Sequence, residues 1–150
     1  METATKAPWH LWVIGIVATL WNAGGAYDYT MTQTRNMDYL TMGAEGAGVP
    51  VDVMLDYYTN FPAWADALWA LGVWGALAGS LLLLLRSRFA FHAFVVSLAG
   101  LVGTTIYTAT ADMPPELNTP MLWVFSAAIW LSVILLAWYA RRMTAAGVLK

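Results

Sequence analysis

The residues best suited to chemistry lie towards one end of two long apolar stretches. They combine an amide, two carboxylates and aromatic rings, which together suit a small polar or cationic solute. The set consists of Trp21, Asn22, Asp28, Tyr29, Asp66 and Trp69. One interpretation is a solute-binding cluster. The alternative is structural: Asn22 bonds a neighbouring helix while the carboxylates face water. Because an unpaired amide within the bilayer is costly, Asn22 needs a partner, and we expect Thr104 or Thr108 of the third stretch, a buried water or a solute.

Two histidines form a second candidate set. His10 and His92 lie near the beginnings of the first and third apolar stretches, at similar depth. Imidazoles from two helices can hold a haem iron, and they bind several other transition metals. Both histidines lie close to the ends of their stretches, so we favour interfacial side chains and expect no cofactor. A haem- or pigment-binding protein is the minor alternative.

Catalytic motifs are absent from the sequence. It contains no cysteine, no serine–histidine–aspartate spacing, no histidine–glutamate metal motif and no phosphate loop. We therefore predict that the protein is not an enzyme. The net charge of −2 also argues against nucleic acid, because phosphate binding needs a basic surface.

Long apolar stretches must position these residues. The chain is 60% apolar and only 11% charged, and a soluble domain carries roughly twice that charge. Stretches of about 20 apolar residues cross a bilayer as helices. We predict one all-α domain over residues 1–150, an integral membrane bundle of four transmembrane helices. The spans are 8–29, the first taken as a helix rather than a cleaved signal, 62–85, 89–111 and 120–140.

The cations give this bundle an orientation. Arg35 falls on one side of the four-span arrangement, and the remaining cations fall on the other. Those are Lys6, Arg86, Arg88, Arg141, Arg142 and Lys150. Because cytoplasmic loops are enriched in lysine and arginine, we expect both termini in the cytoplasm and the protein in a bacterial inner membrane.

The predicted outer loops differ in length. The polar residues 31–40 favour continuation of the first helix, and the glycine-rich residues 43–48 predict a flexible turn. Apolar residues from Val51 to Tyr58 recur at helical spacing. They indicate a short amphipathic helix on the membrane surface, with an irregular loop as the alternative. Residues 112–119 predict a tight polar turn.

Small residues at helical spacing mark the expected packing faces, because helices in lipid associate through close backbone contact. The residues assigned to packing are Gly15, Gly72, Gly75, Gly79, Gly100, Thr104 and Thr108. The last stretch instead carries a bulky stripe that suits lipid, a partner protein or another copy of the chain. Its tryptophans are Trp123, Trp130 and Trp138. The two halves of the sequence are weakly similar. This similarity would result from two tandem helical hairpins, or from chance.

Several segments, mostly in the first half, resemble those of a family of small bacterial four-helix inner-membrane proteins, sometimes labelled sugar-transporter-like. They are Pro8-Trp9-His10-Leu11-Trp12, Leu20-Trp21-Asn22-Ala23-Gly24-Gly25, Met31-Thr32-Gln33-Thr34-Arg35, Phe61-Pro62-Ala63-Trp64 and Gly79-Ser80-Leu81-Leu82-Leu83-Leu84. The resemblance implies a membrane protein and carries over no functional residue.

Two function classes remain. The first is a non-catalytic accessory or interaction subunit of a larger or homo-oligomeric membrane assembly, and we favour it because 150 residues leave little room for a gated pathway. The alternative is a binder or transporter of a small sugar-like or cationic solute, using the aromatic and acidic cluster.

Overall fold

The structure, a computed structural model, describes residues 5–150. Within that range the chain is all helical, with six α-helices, one 3-10 turn and no strand. The α-helices are α1 (Trp9–Gln33), α2 (Met37–Ala47), α3 (Val51–Thr59), α4 (Ala63–Leu84), α5 (Phe89–Thr110) and α6 (Pro120–Ala145). The 3-10 turn, Pro115–Leu117, lies inside the predicted polar turn before α6.

Three helices are long and apolar enough to cross a membrane. They are α4, α5 and α6, with mean hydropathies of 1.9, 1.8 and 2.1. Helix α1 matches them in length at 25 residues, but it carries more polar residues, including Asn22 and Asp28. The prediction of long apolar helices is confirmed for these three.

The segment between α1 and α3 differs from its predicted form. Helix α1 ends at Gln33, and Arg35 adopts a left-handed backbone with φ of 53°. The Asn36 side chain then accepts a hydrogen bond from the Tyr39 N–H at 3.1 Å, which caps α2. The expected single helix over residues 31–40 is therefore interrupted, because an asparagine cap starts a new one.

The flexible turn predicted at residues 43–48 is wrong. Helix α2 continues through Gly43 and Gly46 and ends only at Gly48, whose φ is 69°. Each internal glycine costs about 1 kcal/mol relative to alanine, but Leu40 and Ala44 are buried one turn apart and hold the helix in place. The helix predicted from residue 51 is present as α3, which contains no fully buried residue.

The long helices pack in chain order. Helix α1 lies on α4, α4 lies very closely on α5, and α5 lies on α6. A core at the Arg86 end of the bundle joins all four, and it includes Leu11, Leu83, Phe94 and Ala140. Helices α1 and α6 contact each other through the rings of His10 and Tyr139 and those of Trp21 and Phe125.

Residues 147–150 fold back under this end of the bundle. Gly147 has a φ of 69° and reverses the chain after α6. The Arg88 N–H donates to the Lys150 carbonyl at 2.9 Å, and the Lys150 N–H donates to the Arg86 carbonyl at 2.8 Å. Val148 and Leu149 are buried in the core. The segment therefore connects the end of α6 to the turn between α4 and α5.

Candidate functional site

Asn22 is buried and joins α1 to α4. Its Nδ2 donates to the Ser80 hydroxyl at 2.8 Å, and that hydroxyl donates in turn to the Ala76 carbonyl at 2.9 Å. Partners for Asn22 were expected at Thr104 or Thr108, and this expectation is wrong. Helix α1 packs on α4 rather than on α5, so Ser80 is the hydroxyl within reach.

The two α5 threonines have local partners instead. Thr104 donates to the Gly100 carbonyl at 2.9 Å, and Thr108 donates to the Thr105 carbonyl at 3.1 Å. Such bonds satisfy a hydroxyl within its own helix. Both threonines are half-buried on α5.

Replacement of Asn22 by leucine tests its role. Hydrogen bonds between membrane helices contribute about 0.6 kcal/mol, at most about 1.7 kcal/mol. We expect Asn22→Leu and Ser80→Ala each to lose a few tenths to about 1 kcal/mol in detergent unfolding, and the double variant to lose less than their sum. A strictly additive double variant would show that the two side chains do not interact.

Trp21 lies apart from the other candidates. Its Nε1 donates to the Ser132 hydroxyl of α6 at 3.2 Å, and its ring lies 6.0 Å from that of Phe125. Consecutive helical residues point about 100° apart. Asn22 therefore contacts α4 while Trp21 contacts α6, and the structure does not bring Trp21 into one site with Asp66 or Trp69.

The two carboxylates join the end of α1 to neighbouring helices. Asp28 accepts a hydrogen bond from the Tyr39 hydroxyl of α2 at 2.8 Å. Asp66 accepts one from Gln33 Nε2 at 2.6 Å, which fixes the end of α1 to the start of α4. Burial, and then the hydrogen bond to Asp28, raise the pKa of Tyr39 well above its ordinary value. Both acids therefore have structural partners.

Aromatic rings surround these acids at the same end of the bundle. The Trp69 ring lies 4.9 Å from Tyr29, 5.8 Å from Tyr58 and 5.7 Å from Phe61. Phe61 also lies 4.7 Å from Tyr107 on α5. We call the set the aromatic layer, and it consists of Tyr29, Tyr57, Tyr58, Phe61, Trp64, Trp69 and Tyr107.

Sequence reasoning identified only Tyr29 and Trp69 from the aromatic layer. The partners Gln33 and Tyr39 were also missed. The available signal was the aromatic density of residues 57–61 directly before Pro62. Because helix α3 brings these rings over α4, its aromatic side chains could have been assigned to the same end as Trp69.

The Tyr57 hydroxyl is the polar atom of this region that lacks a partner. It is buried and makes no hydrogen bond within residues 5–150. Burial, followed by the nearby Tyr58 and Tyr107, raises the pKa of Tyr57 to about 12. The neutral phenol is therefore favoured in the folded protein over its ionised form.

Phenylalanine replacements distinguish the role of the Tyr57 hydroxyl from that of the Tyr39 hydroxyl. A buried polar group without a partner costs about 1–3 kcal/mol, so Tyr57→Phe should raise the free energy of unfolding by about 1 kcal/mol. Tyr39→Phe should lower it by a similar amount, because Asp28 loses its donor. Because the pKa of Tyr57 is raised in the folded protein, its ionisation favours the unfolded state, and the unsubstituted protein loses stability as pH rises from 10 through 12. The advantage of Tyr57→Phe should widen there. Destabilisation by Tyr57→Phe at pH 7 would reveal a partner for its hydroxyl.

The histidines have separate surroundings. His10 Nδ1 lies 2.6 Å from the Tyr139 hydroxyl of α6. His92 is exposed on α5 between the rings of Phe89 and Phe91. Within residues 5–150 no group of three or more histidine, aspartate or glutamate side chains is arranged to hold a metal ion.

The glycines assigned to packing lie at close helix contacts. A Cβ on Gly100 would lie 2.5 Å from both the Gly72 nitrogen and the Leu68 carbonyl oxygen. A Cβ on Gly75 would lie 3.1 Å from the Ser97 nitrogen, and one on Gly79 would lie 2.8 Å from the Phe94 ring. The Ser97 hydroxyl donates to the Gly72 carbonyl at 2.5 Å. On α1, a Cβ on Gly15 would lie 2.5 Å from the flexible Leu84 side chain of α4.

The tryptophans of α6 lie on the outside of the bundle. Trp123 is 61% exposed and Trp138 is 54% exposed, whereas Trp130 is half-buried. Trp123 Nε1 donates to Asn118 at 2.6 Å, and the Arg142 guanidinium lies 4.9 Å from the Trp138 ring centroid. These contacts hold both rings at opposite ends of one outward surface.

No protein-family model, curated protein or solved structure that was compared matches this chain. The function proposed below rests on the residues and contacts of the chain itself.

Proposed function

We propose that the protein is a non-catalytic accessory subunit of a membrane assembly, built from four transmembrane helices with both termini in the cytoplasm of a bacterial inner membrane. The observation that carries this proposal is the outward surface of α6. Met121, Trp123, Val124 and Phe125 are all more than half exposed there. This apolar surface suits lipid, a partner membrane protein or a second copy of the chain.

The interior of the bundle supports an accessory role over transport. Gly100 lies against the Gly72 backbone, and Asn22 is bonded to Ser80. These contacts close the space between α4 and α5 and between α1 and α4. A transport pathway within one copy would have to separate helices that are held by backbone contact.

The arrangement of charges supports the four-span topology. Arg86 Nη2 donates to the Thr5 carbonyl at 2.8 Å, and its Nε donates to the Val148 carbonyl at 3.2 Å. The residues before α1, the turn after α4 and the segment after α6 therefore lie together. We call this end of the bundle the cationic end, because it carries Arg86, Arg88, Arg141 and Arg142. Arg35 lies beyond the opposite end of α1, and this separation supports the proposal that α1 is a fourth span.

Single-cysteine labelling in intact cells tests this topology. We expect an impermeant thiol reagent to label cysteines placed at Glu45 and Glu116 and to leave one at Ser87 unlabelled. Labelling of Ser87 after cell lysis is the control for its reactivity. Comparable labelling at Ser87 and Glu45 before lysis would contradict the orientation.

Purification in mild detergent tests the accessory role. The chain should carry a stoichiometric protein partner, or a second copy of itself, and Trp123→Ala together with Trp138→Ala should release it. Trp74→Ala on α4 is the matched control, because Trp74 is 48% exposed on another helix. Purification of the unsubstituted chain as a monomer without a protein partner would contradict the proposal.

A solute binder is the second candidate, and the aromatic layer favours it. Asp28 and Asp66 lie beside edge-to-face and tilted aromatic rings, and the Tyr57 hydroxyl has no described partner. In this case a small molecule should co-purify and be lost in Asp66→Asn. Mass analysis of the purified protein distinguishes the two candidates.

A further inference from the structure

The cationic end of the bundle contains an open groove between α5 and α6. Its volume is about 240 Å³, and it is lined by Arg88, Phe91, His92, Arg141, Thr144 and Ala145. Arg88 directly precedes α5, and Arg141 lies near the end of α6. The antiparallel packing of the two helices therefore brings Arg88 and Arg141 to one groove, which their side chains line mainly through carbon atoms.

The charge of this groove is uncompensated by the residues that line it, since none of them is acidic. The Arg88 guanidinium lies 5.5 Å from the ring centroid of Phe89, which does not line the groove. The other arginines nearby have different neighbours. Arg86 donates to the Thr5 and Val148 carbonyls, and Arg142 lies over the Trp138 ring. The acidic residues between positions 5 and 150 lie near the end of α1, after α1 or α5, or near the start of α4, at the opposite end.

Apolar surface continues from the groove along the same two helices. Phe91 and Ala145 contribute to its walls. Farther along, Val95 and Val96 of α5 and Ile134 of α6 are exposed. A ligand that combines an anionic group with long apolar chains would match both parts of this surface.

We propose that this groove binds the phosphate group of an anionic phospholipid, with its acyl chains lying along α5 and α6. Two arginines suit a phosphate because guanidinium groups donate several parallel hydrogen bonds. The exposed His92 ring adds a further donor at the same position, whereas the Thr144 hydroxyl already donates to the Ala140 carbonyl at 2.9 Å. Basic grooves between transmembrane helices bind anionic lipid headgroups in this way. This inference is independent of the accessory role.

Lipid titration of the detergent-solubilised protein, followed by native mass spectrometry, tests the site. We expect one phosphatidylglycerol per chain to bind at least about ten-fold more tightly than phosphatidylcholine. Because a hydrogen bond to a charged group is among the strong ones, Arg88→Gln or Arg141→Gln should each weaken phosphatidylglycerol at least about ten-fold. The double variant should weaken it further.

Arg142→Gln is the matched control, since it removes the same charge from the same end but not from the groove. It should leave the bound lipid unchanged, and helix content by circular dichroism should be unchanged in every variant. Three results would each overturn the proposal: equal binding of phosphatidylcholine, unchanged binding in the double variant, or displacement of phosphatidylglycerol by millimolar inorganic phosphate. The last would assign the groove to a soluble phosphate.

Discussion

Gly100→Ala should force α4 and α5 apart and strongly destabilise the protein. The added methyl would lie 2.5 Å from the Gly72 nitrogen and from the Leu68 carbonyl oxygen. Both atoms belong to the backbone of α4, so no side chain can rotate away to make space. Overpacking costs about 1–3 kcal/mol, occasionally more, and a contact with two backbone atoms belongs at the upper end. We expect a loss of about 3 kcal/mol in reversible unfolding in detergent.

Two other glycines provide the controls. Nothing lies within 4 Å of a Cβ on Gly24, so Gly24→Ala should raise stability by about 0.5–1 kcal/mol through helix propensity. Gly79→Ala should be intermediate, because its contact at 2.8 Å is the Phe94 ring, which can shift by a small rotation. Equal melting midpoints for Gly100→Ala and Gly24→Ala would show that α4 and α5 are not in close contact at Gly100.

The apolar helices were predictable because their signal is local. Each of α4, α5 and α6 begins beside a proline or arginine and continues for more than 20 residues. Spacing also identified Gly72 and Gly100 as small residues on packing faces. It could not show that these two glycines oppose each other, because helix order and register depend on contacts between distant residues.

The Asn22 partner shows the same limit. Position along α1 predicted that the amide needs a partner, since an unpaired polar group in lipid is costly. The identity of that partner depends on which helix lies beside α1, and Ser80 belongs to α4 rather than α5. Helix α2 illustrates a different limit. Its glycines argue against a helix locally, and the burial of Leu40 and Ala44 together with the Asn36 cap offsets them.

Segment 147–150 carried no recognisable pattern because it contains only two apolar residues after a glycine. In the structure Leu149 is 3% exposed and packs in the core with Leu11 and Leu83. The backbone on either side of it is bonded to the turn between α4 and α5. Arg86 in that turn has a φ of 57°, a conformation that these bonds help to hold.

Leu149→Ala should therefore release the segment and loosen the whole cationic end. Truncation of a buried leucine costs about 2–5 kcal/mol, and a site at the end of a bundle, where water can enter, belongs near the lower limit. We expect a loss of about 2 kcal/mol. The Arg88 amide should also exchange its hydrogen faster, because it donates to the Lys150 carbonyl only while the segment is docked.

Lys150→Ala is the matched control for this prediction. The Lys150 side chain is exposed, and the bonds of this residue to the turn run through its backbone. Its truncation should leave both the melting midpoint and the exchange of the Arg88 amide unchanged. If Leu149→Ala behaved like Lys150→Ala, residues 147–150 would contribute nothing to the fold. In that case Arg86 would depend on its contact with Thr5 alone to hold the turn between α4 and α5.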